Sequence, residues 1–161
     1  MQPSVNIEGI HYHILLVKAL EEYIQDELQD SAFYYALAKL SPNEYIKGII
    51  LEFAETEKSH AESFQKAYHF LTGLSFTPKI MTPIEINDYQ AALSLIISDE
   101  VKDFKRYGEE YLRAPTQYLQ DLFYMVKTLE SQHLMRLPFL IEDNHFFRGG
   151  LEGKAKLKLV K

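Results

Sequence analysis

Two short motifs of identical spacing constrain this chain most strongly. Glu57 and His60 are three residues apart, and so are Glu130 and His133. Each pair lies in a stretch where apolar residues recur every three or four positions, as on the buried face of an amphipathic helix. The pairs occupy positions where that pattern requires apolar side chains. Because a buried ionisable side chain is costly unless it is paired or binds a metal, two inward-facing Glu-x-x-His pairs indicate half of a two-metal site.

The same polar residues recur in both halves of the chain, at an interval of 73 positions. The repeated pairs are Glu27 and Glu100, Asp30 and Asp103, Tyr34 and Tyr107, Glu57 and Glu130, and His60 and His133. Each of the four glutamates lies 14 to 16 residues from the turn of its own predicted hairpin. This separation is about 21–24 Å along a helix. We therefore expect the four carboxylates at one level in the middle of a helical bundle.

The first predicted hairpin consists of helices over about residues 11–40 and 42–72, after an irregular lead-in over residues 1–9. Ser41 is predicted to be the N-cap of the second helix, with Pro42 at its first position and Glu44 closing a capping box. Gly73 follows the last helical residues and is suited to a helix C-terminus. The turn between the two helices is so short that they must run antiparallel.

The second predicted hairpin begins after a linker over residues 74–86, which contains two prolines and shows no helical period. Thirteen extended residues reach about 43 Å, so we expect a crossover along the length of the bundle. Asn87 or Asp88 caps the third helix, which ends at Arg113, and the fourth helix ends before Pro138. The prediction is one all-α domain over residues 1–161, a four-helix bundle over about 12–137 followed by a tail over 138–161.

Composition excludes several kinds of chemistry. The chain has no cysteine, so disulfides, thiolate metal sites and thiol catalysis are excluded within these residues. A net charge of −6 argues against nucleic acid as a principal partner. No apolar run approaches the length of a membrane span, and the N-terminus has no signal-peptide pattern. We expect a cytoplasmic protein that binds no membrane.

The residue types predict the kind of metal centre. Two divalent ions a few ångströms apart need carboxylates that can bridge them and one imidazole for each ion. Glu57 and Glu130 are the expected bridges, and Glu27 and Glu100 would each complete one metal position. This donor set suits iron or manganese, and zinc is a further possibility. The predicted ligands are Glu27, Glu57, His60, Glu100, Glu130 and His133.

The residues quoted above resemble those of the ferritin-like superfamily and, within it, the rubrerythrins. The stretch from Glu27 to Tyr34 is similar to the rubrerythrin first-helix motif, in which a tyrosine follows a ligand glutamate by seven residues. The resemblance covers about residues 12–137 and implies a di-iron site that reacts with dioxygen or peroxide. Many rubrerythrins also carry a rubredoxin module with four cysteines, which these residues lack. Rubrerythrin sites use a further glutamate on the third helix, and Asp103 stands in the corresponding place as an additional ligand or a hydrogen-bond partner of a ligand.

The resemblance implies a di-iron oxidoreductase that oxidises Fe(II) or reduces hydrogen peroxide, with a role under oxidative stress. Electrons would come from a separate donor protein. Tyr34 and Tyr107 are candidates for residues that act close to the metals. A non-catalytic metal-binding or structural protein is the alternative, and iron storage is a further one. Because two-fold assemblies are common and the tail is apolar in part, we expect a homodimer.

Overall fold

A computed structural model describes residues 7–79 and 84–141, and these form an all-α four-helix bundle. The helices are α1 (Ile7–Ala38), α2 (Glu44–Thr72), α3 (Tyr89–Arg113) and α4 (Gln117–Ile141). Helix α1 packs mainly on α2, and α3 packs mainly on α4. The two predicted hairpins are therefore confirmed. None of the described helices combines the length and the apolar composition that a membrane span requires.

Two apolar clusters fill the two ends of the bundle. One joins the beginning of α1 with the ends of α2 and α3, and includes Leu20, Phe64, Tyr107 and Phe123. The other joins the end of α1 with the beginnings of α2 and α3, and includes Leu37, Ile50, Leu93 and Leu137. The beginnings of α2 and α3 thus lie at the same end of the bundle. The connection between these helices must therefore return along the bundle, as the crossover prediction required.

The described parts of that connection, residues 74–79 and 84–88, contain no helix or strand. Its first part lies against the bundle. The Gln65 side chain donates a hydrogen bond to the Phe76 carbonyl at 2.6 Å, and the Lys79 amide donates one to the Gln25 side chain at 2.7 Å. These contacts fix the direction in which the chain leaves α2.

The predicted start of α2 was wrong by two residues. Asn43, and not Ser41, is the N-cap, and its side chain accepts a hydrogen bond from the Ile46 amide at 2.9 Å. The Ser41 hydroxyl instead donates to the Ala38 carbonyl at 2.8 Å, where α1 ends. Pro42 consequently lies before the helix. At the other end, Gly73 has a φ of +71° and terminates α2 as expected.

Two other helix boundaries differ from the predictions. Helix α1 already begins at Ile7, within the stretch predicted to be irregular. Helix α4 continues through Pro138 to Ile141. A proline removes one helical hydrogen bond, but Leu137 and Leu140 on either side of Pro138 are buried in the core, and this burial favours continuation of the helix. Residues 142–161, the rest of the predicted tail, lie outside the described residues. The N-cap of α3 is Asp88, one of the two residues predicted for this position.

Candidate metal centre

A layer of buried polar side chains separates the two apolar clusters. Its carboxylates and imidazoles are only 1–5 % exposed. All four helices contribute: α1 and α3 supply one glutamate each, and α2 and α4 supply one glutamate and one histidine each. The members are the six residues predicted to be metal ligands, Glu27, Glu57, His60, Glu100, Glu130 and His133.

The Nδ1 atom of His60 lies among three carboxylate oxygens. It is 3.3 Å from Glu27 Oε2, 2.9 Å from Glu57 Oε2 and 3.0 Å from Glu130 Oε1. The three glutamates come from three different helices. One imidazole nitrogen carries at most one hydrogen, so it cannot bond all three oxygens. Such convergence of one nitrogen and several oxygens is what a cation would require.

His133 is surrounded in the same way. Its Nδ1 atom is 2.9 Å from Glu57 Oε1, 3.3 Å from Glu100 Oε1 and 3.5 Å from Glu130 Oε2. The layer therefore contains two groups of possible metal-binding atoms, one including Glu27 and His60, the other Glu100 and His133. We call them the Glu27 position and the Glu100 position.

Glu57 and Glu130 belong to both positions. Each directs one carboxylate oxygen towards His60 and the other towards His133. Glu27 contributes only to the first position and Glu100 only to the second. This division of oxygens is what two bridging carboxylates and two terminal carboxylates would show.

The donor set fits two divalent cations. Four buried carboxylates would carry four negative charges, and two divalent ions would neutralise them, whereas uncompensated buried charge is strongly unfavourable. Several polar atoms of the layer also make no hydrogen bond of suitable geometry within the described part of the chain. These atoms are His60 Nε2 and Glu100 Oε2, and also Glu130 Oε1 and His133 Nδ1 in spite of their short nitrogen–oxygen distances. Oxygen and imidazole donors together suit iron, manganese or zinc.

In the metal-free chain, protons neutralise part of this charge. Burial raises the pKa of Glu27 and Glu100 well above the usual value of a glutamic acid. Burial also acts to raise the pKa of Glu57 and Glu130, but the adjacent imidazoles outweigh it, so both pKa values fall below the usual one. Burial would lower the pKa of His133, but the surrounding carboxylates raise it to about 12. Cations would take the place of these protons.

Comparison with known protein families supports the same assignment. A family model for rubrerythrin matches residues 18–141. The chain belongs to the rubrerythrin family. This is a ferritin-like family of di-iron carboxylate proteins, which agrees with the resemblance found in the sequence. No curated protein and no solved structure matched the chain.

Two tyrosines support the terminal carboxylates of this rubrerythrin-family bundle. The Tyr34 hydroxyl on α1 donates a hydrogen bond to Glu100 on α3, and the Tyr107 hydroxyl on α3 donates one to Glu27 on α1. Burial raises the pKa of both phenols well above the usual value, and the adjacent carboxylates act in the same direction. Both hydroxyls therefore remain protonated donors. Their predicted position close to the centre is observed, and a part in catalysis remains a prediction.

Asp103 lies beside the centre but is not among the converging atoms of either position. Its carboxylate accepts a hydrogen bond from Arg106 at 2.5 Å. Burial raises the pKa of Asp103 to about 6, although Arg106 opposes the effect. Its role as an additional ligand remains a prediction.

A cavity of about 130 Å³ leads to the centre between α1 and α3. All four glutamates of the layer line it, and Tyr34, Asp30 and Asp103 lie beside them. Sequence reasoning assigned no role to Asp30, although its repetition at Asp103 was a usable signal. Arg106 was also missed, because a single basic residue on an amphipathic helix usually belongs to the solvated face.

Proposed function

We propose that this chain is a di-iron oxidoreductase of the rubrerythrin type, which oxidises Fe(II) or reduces hydrogen peroxide. One observation carries the proposal: Glu57 and Glu130 each divide their two oxygens between His60 and His133. A carboxylate that serves only as a polar core residue has no reason to adopt such a shared arrangement twice. Family membership makes iron the expected metal.

In this proposal Glu27 and His60 would hold one iron, Glu100 and His133 would hold the other, and Glu57 and Glu130 would be ligands of both. Two bound ferrous ions can supply the two electrons that reduction of peroxide to water requires. The helices hold the ligands at a fixed separation. The apolar clusters above and below exclude water from the rest of the layer.

The cavity is the proposed route for peroxide or dioxygen. Glu27, Glu57, Glu100 and Glu130 all border it, so both metal positions can be reached from the cavity. Reduction of peroxide also consumes two protons. Burial, reinforced by repulsion from Asp103 and Glu57, raises the pKa of Asp30 to about 8. In the metal-free chain Asp30 therefore holds a proton at neutral pH, at the edge of the cavity. We propose that it delivers protons to the oxygen substrate.

The expected partners follow from what these residues lack. With no cysteine, the chain has no ligands for a rubredoxin-type iron centre, so catalysis would need electrons from a separate protein. A homodimer and a cytoplasmic location also remain predictions. The alternatives are a metal-binding or structural role without turnover, and iron storage.

The test is metal content followed by anaerobic loading with Fe(II) and addition of peroxide or dioxygen. We expect about two iron ions per chain and oxidation that is fast with at least one oxidant. A matched pair of variants on α2 serves as control: Glu57→Gln removes a buried bridge, whereas Glu62→Gln changes an exposed glutamate. Only the first should lose metal and oxidation. Stoichiometric metal without response to either oxidant would favour a non-catalytic role, and a large shell taking up many irons would favour storage.

A further inference from the structure

The internal repeat is broken at a polar position next to the metal centre. The ligands, the tyrosines and the aspartates recur 73 residues apart, but Arg106 corresponds to Phe33. The surroundings of Tyr107 therefore include a guanidinium that those of Tyr34 lack at the equivalent place.

Arg106 makes several contacts on one side of the centre. Nη2 donates to the Tyr107 hydroxyl at 3.1 Å and to Asp103 Oδ1 at 2.5 Å, and Nη1 donates to Asp26 Oδ2 at 2.9 Å. The guanidinium carbon also lies 4.6 Å from the ring centroid of Tyr23 and 5.0 Å from that of Tyr107. Two aromatic rings and three hydrogen bonds thus hold the guanidinium in one place.

These contacts give the Tyr107 hydroxyl two roles. It donates its proton to Glu27 and accepts a hydrogen bond from a charged donor. A donor on the phenol oxygen polarises the O–H bond and strengthens its donation to the carboxylate. The Tyr34 hydroxyl donates to Glu100 in the same way, but no described residue donates to it.

The terminal carboxylates differ accordingly. Tyr107 bonds Oε1 of Glu27, while Oε2 lies 3.3 Å from His60. Tyr34 bonds Oε1 of Glu100, while Oε2 of Glu100 has no hydrogen-bond partner in the described part of the chain. One oxygen of Glu100 is thus less constrained than either oxygen of Glu27.

We propose that Arg106 is a positioning residue that acts through Tyr107 to hold Glu27, so that its removal weakens metal binding at the Glu27 position and not at the Glu100 position. The inference rests on the proposed two-metal site. It adds that a guanidinium supports the phenol that holds Glu27, whereas a phenol alone holds Glu100. Arg106 also holds Asp103 in an ion pair.

The charges around the guanidinium determine whether removal of Arg106 should weaken or tighten metal binding. A cation close to a metal site could repel the metal, and its removal would then tighten binding. Asp26 and Asp103 both pair with Arg106, so the local group carries no net positive charge. Orientation of Glu27 should therefore outweigh repulsion. Removal of residues that orient metal ligands typically weakens metal binding by about 10–100-fold.

The test is calorimetric titration of the metal-free full chain with Co(II), which requires no turnover. The wild type should bind about two equivalents. Arg106→Gln should weaken one binding step by about 10-fold and leave the other unchanged, and Arg106→Lys should restore part of the loss. Arg136→Gln is the matched control. Arg136 is 34 % exposed, against 30 % for Arg106, and also forms an ion pair. It lies over Phe53, whose ring packs 4.3 Å from that of His133, but it makes no hydrogen bond to a predicted ligand or to a tyrosine that bonds one. It therefore tests the loss of a guanidinium beside the layer without the hydrogen bond.

A double-mutant cycle identifies the step. Tyr107→Phe should weaken the same step as Arg106→Gln, and the two changes together should cost no more than Tyr107→Phe alone. Arg106→Gln and Tyr34→Phe should instead affect different steps and combine additively. The d–d absorption of bound Co(II), which reports its coordination, should change in Arg106→Gln and not in Arg136→Gln.

The results that overturn the inference differ from those that overturn the proposed function. A wild type that binds no Co(II) would contradict both. Three results with Arg106→Gln would contradict only the role of Arg106, provided that the wild type binds two equivalents of Co(II). They are unchanged binding, equal weakening of both steps, and tighter binding. Additivity of Arg106→Gln and Tyr107→Phe would contradict action through Tyr107.

Discussion

The Tyr107 hydroxyl on α3 donates a hydrogen bond to Glu27 on α1, and the Tyr34 hydroxyl on α1 donates the reciprocal bond to Glu100 on α3. Each hairpin thus supports the terminal carboxylate of the other. The main packing of the bundle is within the hairpins, between α1 and α2 and between α3 and α4. The two tyrosines therefore link the hairpins at the level where the metals are expected.

Replacing Tyr107 by phenylalanine should destabilise the metal-free protein. The change removes one hydrogen bond to a fully buried carboxyl group and leaves its oxygen without that donor. Burial holds Glu27 protonated in the metal-free chain by raising its pKa, so the bond joins two neutral groups, and leaving a buried acceptor without its donor costs about 1–3 kcal/mol. We expect a loss of this order in the free energy of unfolding, measured with urea. Tyr34→Phe should also destabilise the protein, because Tyr34 likewise donates to a buried carboxyl group, and should cost less, because no described residue donates to its hydroxyl.

The control for this pair is Tyr124→Phe. Tyr124 is exposed on α4, and its ring packs on Tyr111, which does not belong to the buried layer. Its replacement should change the free energy of unfolding by less than about 0.5 kcal/mol. Equal effects of all three substitutions would show that the tyrosine bonds across the bundle contribute nothing specific.

Loss of a bridging carboxylate should be more severe than loss of Asp103. Glu57→Gln and Glu130→Gln each remove a group shared by both metal positions, so metal content should fall from about two ions per chain to less than one. Asp103→Asn removes a carboxylate that pairs with Arg106 and should leave metal content near the wild-type value. Elemental analysis of the purified variants measures this, and equal metal content in all three would contradict the assignment of the bridges.

The fold could be predicted because apolar residues recur with helical periodicity. The clustered residues could be predicted because they interrupt that periodicity. Apolar periodicity fixed the inner faces of the helices, and Glu57, His60, Glu130 and His133 stood on those faces where apolar residues belong. The repeat at 73 residues added Glu27 and Glu100 by symmetry. The equal distances of the four glutamates from their hairpin turns then predicted that they lie at one level of the bundle. The buried polar layer has this arrangement.

Other features depend on tertiary contacts that no local rule contains. Ser41 and Asn43 are both good N-caps, and the choice depends on where α1 ends. Pro138 marks a helix end by its chemistry, but the burial of Leu140 continues the helix. Arg106 is placed by Tyr23 and Asp26 on α1, about 80 residues earlier in the chain. The cavity exists only between packed helices.

Replacement of Gly48, inside α2, and of Gly73, which follows α2, by alanine should change the stability of the protein in opposite directions. Gly48 lies inside the helix, and an added Cβ would meet no atom within 4 Å. Gly48→Ala should therefore stabilise the protein by about 0.5–1 kcal/mol. Gly73 has a φ of +71°, which L side chains rarely adopt, so Gly73→Ala should destabilise it by about 1 kcal/mol. Thermal unfolding of both variants measures the difference, and a shift of the same sign would contradict the described end of α2.

Stability of the metal-free protein should fall as the pH rises above neutrality. The pKa of His133 is raised to about 12 in the folded chain, and that of His60 is raised well above its usual value. An unfolded histidine loses its proton near pH 6.5, about where this fall should begin. Above that pH the folded state binds more protons than the unfolded state, so the free energy of unfolding decreases. The raised pKa values of Glu27 and Glu100 act in the same direction and add a shallower fall that starts at lower pH, near the ordinary glutamic acid pKa.

Metal should reverse this dependence. Bound cations require neutral imidazoles and ionised carboxylates, so metal affinity rises with pH where the metal-free chain loses stability. Each histidine should contribute a slope of about 1.4 kcal/mol per pH unit in the metal-free protein, measured by urea unfolding from about pH 6.5 to pH 9. The protein loaded with Mn(II) should show a flat or rising profile over the same range. His133→Gln should reduce the slope of the metal-free protein, whereas replacement of the exposed His69 by glutamine should not. A metal-free profile that rises with pH would mean that the buried imidazoles are not held protonated by the four carboxylates.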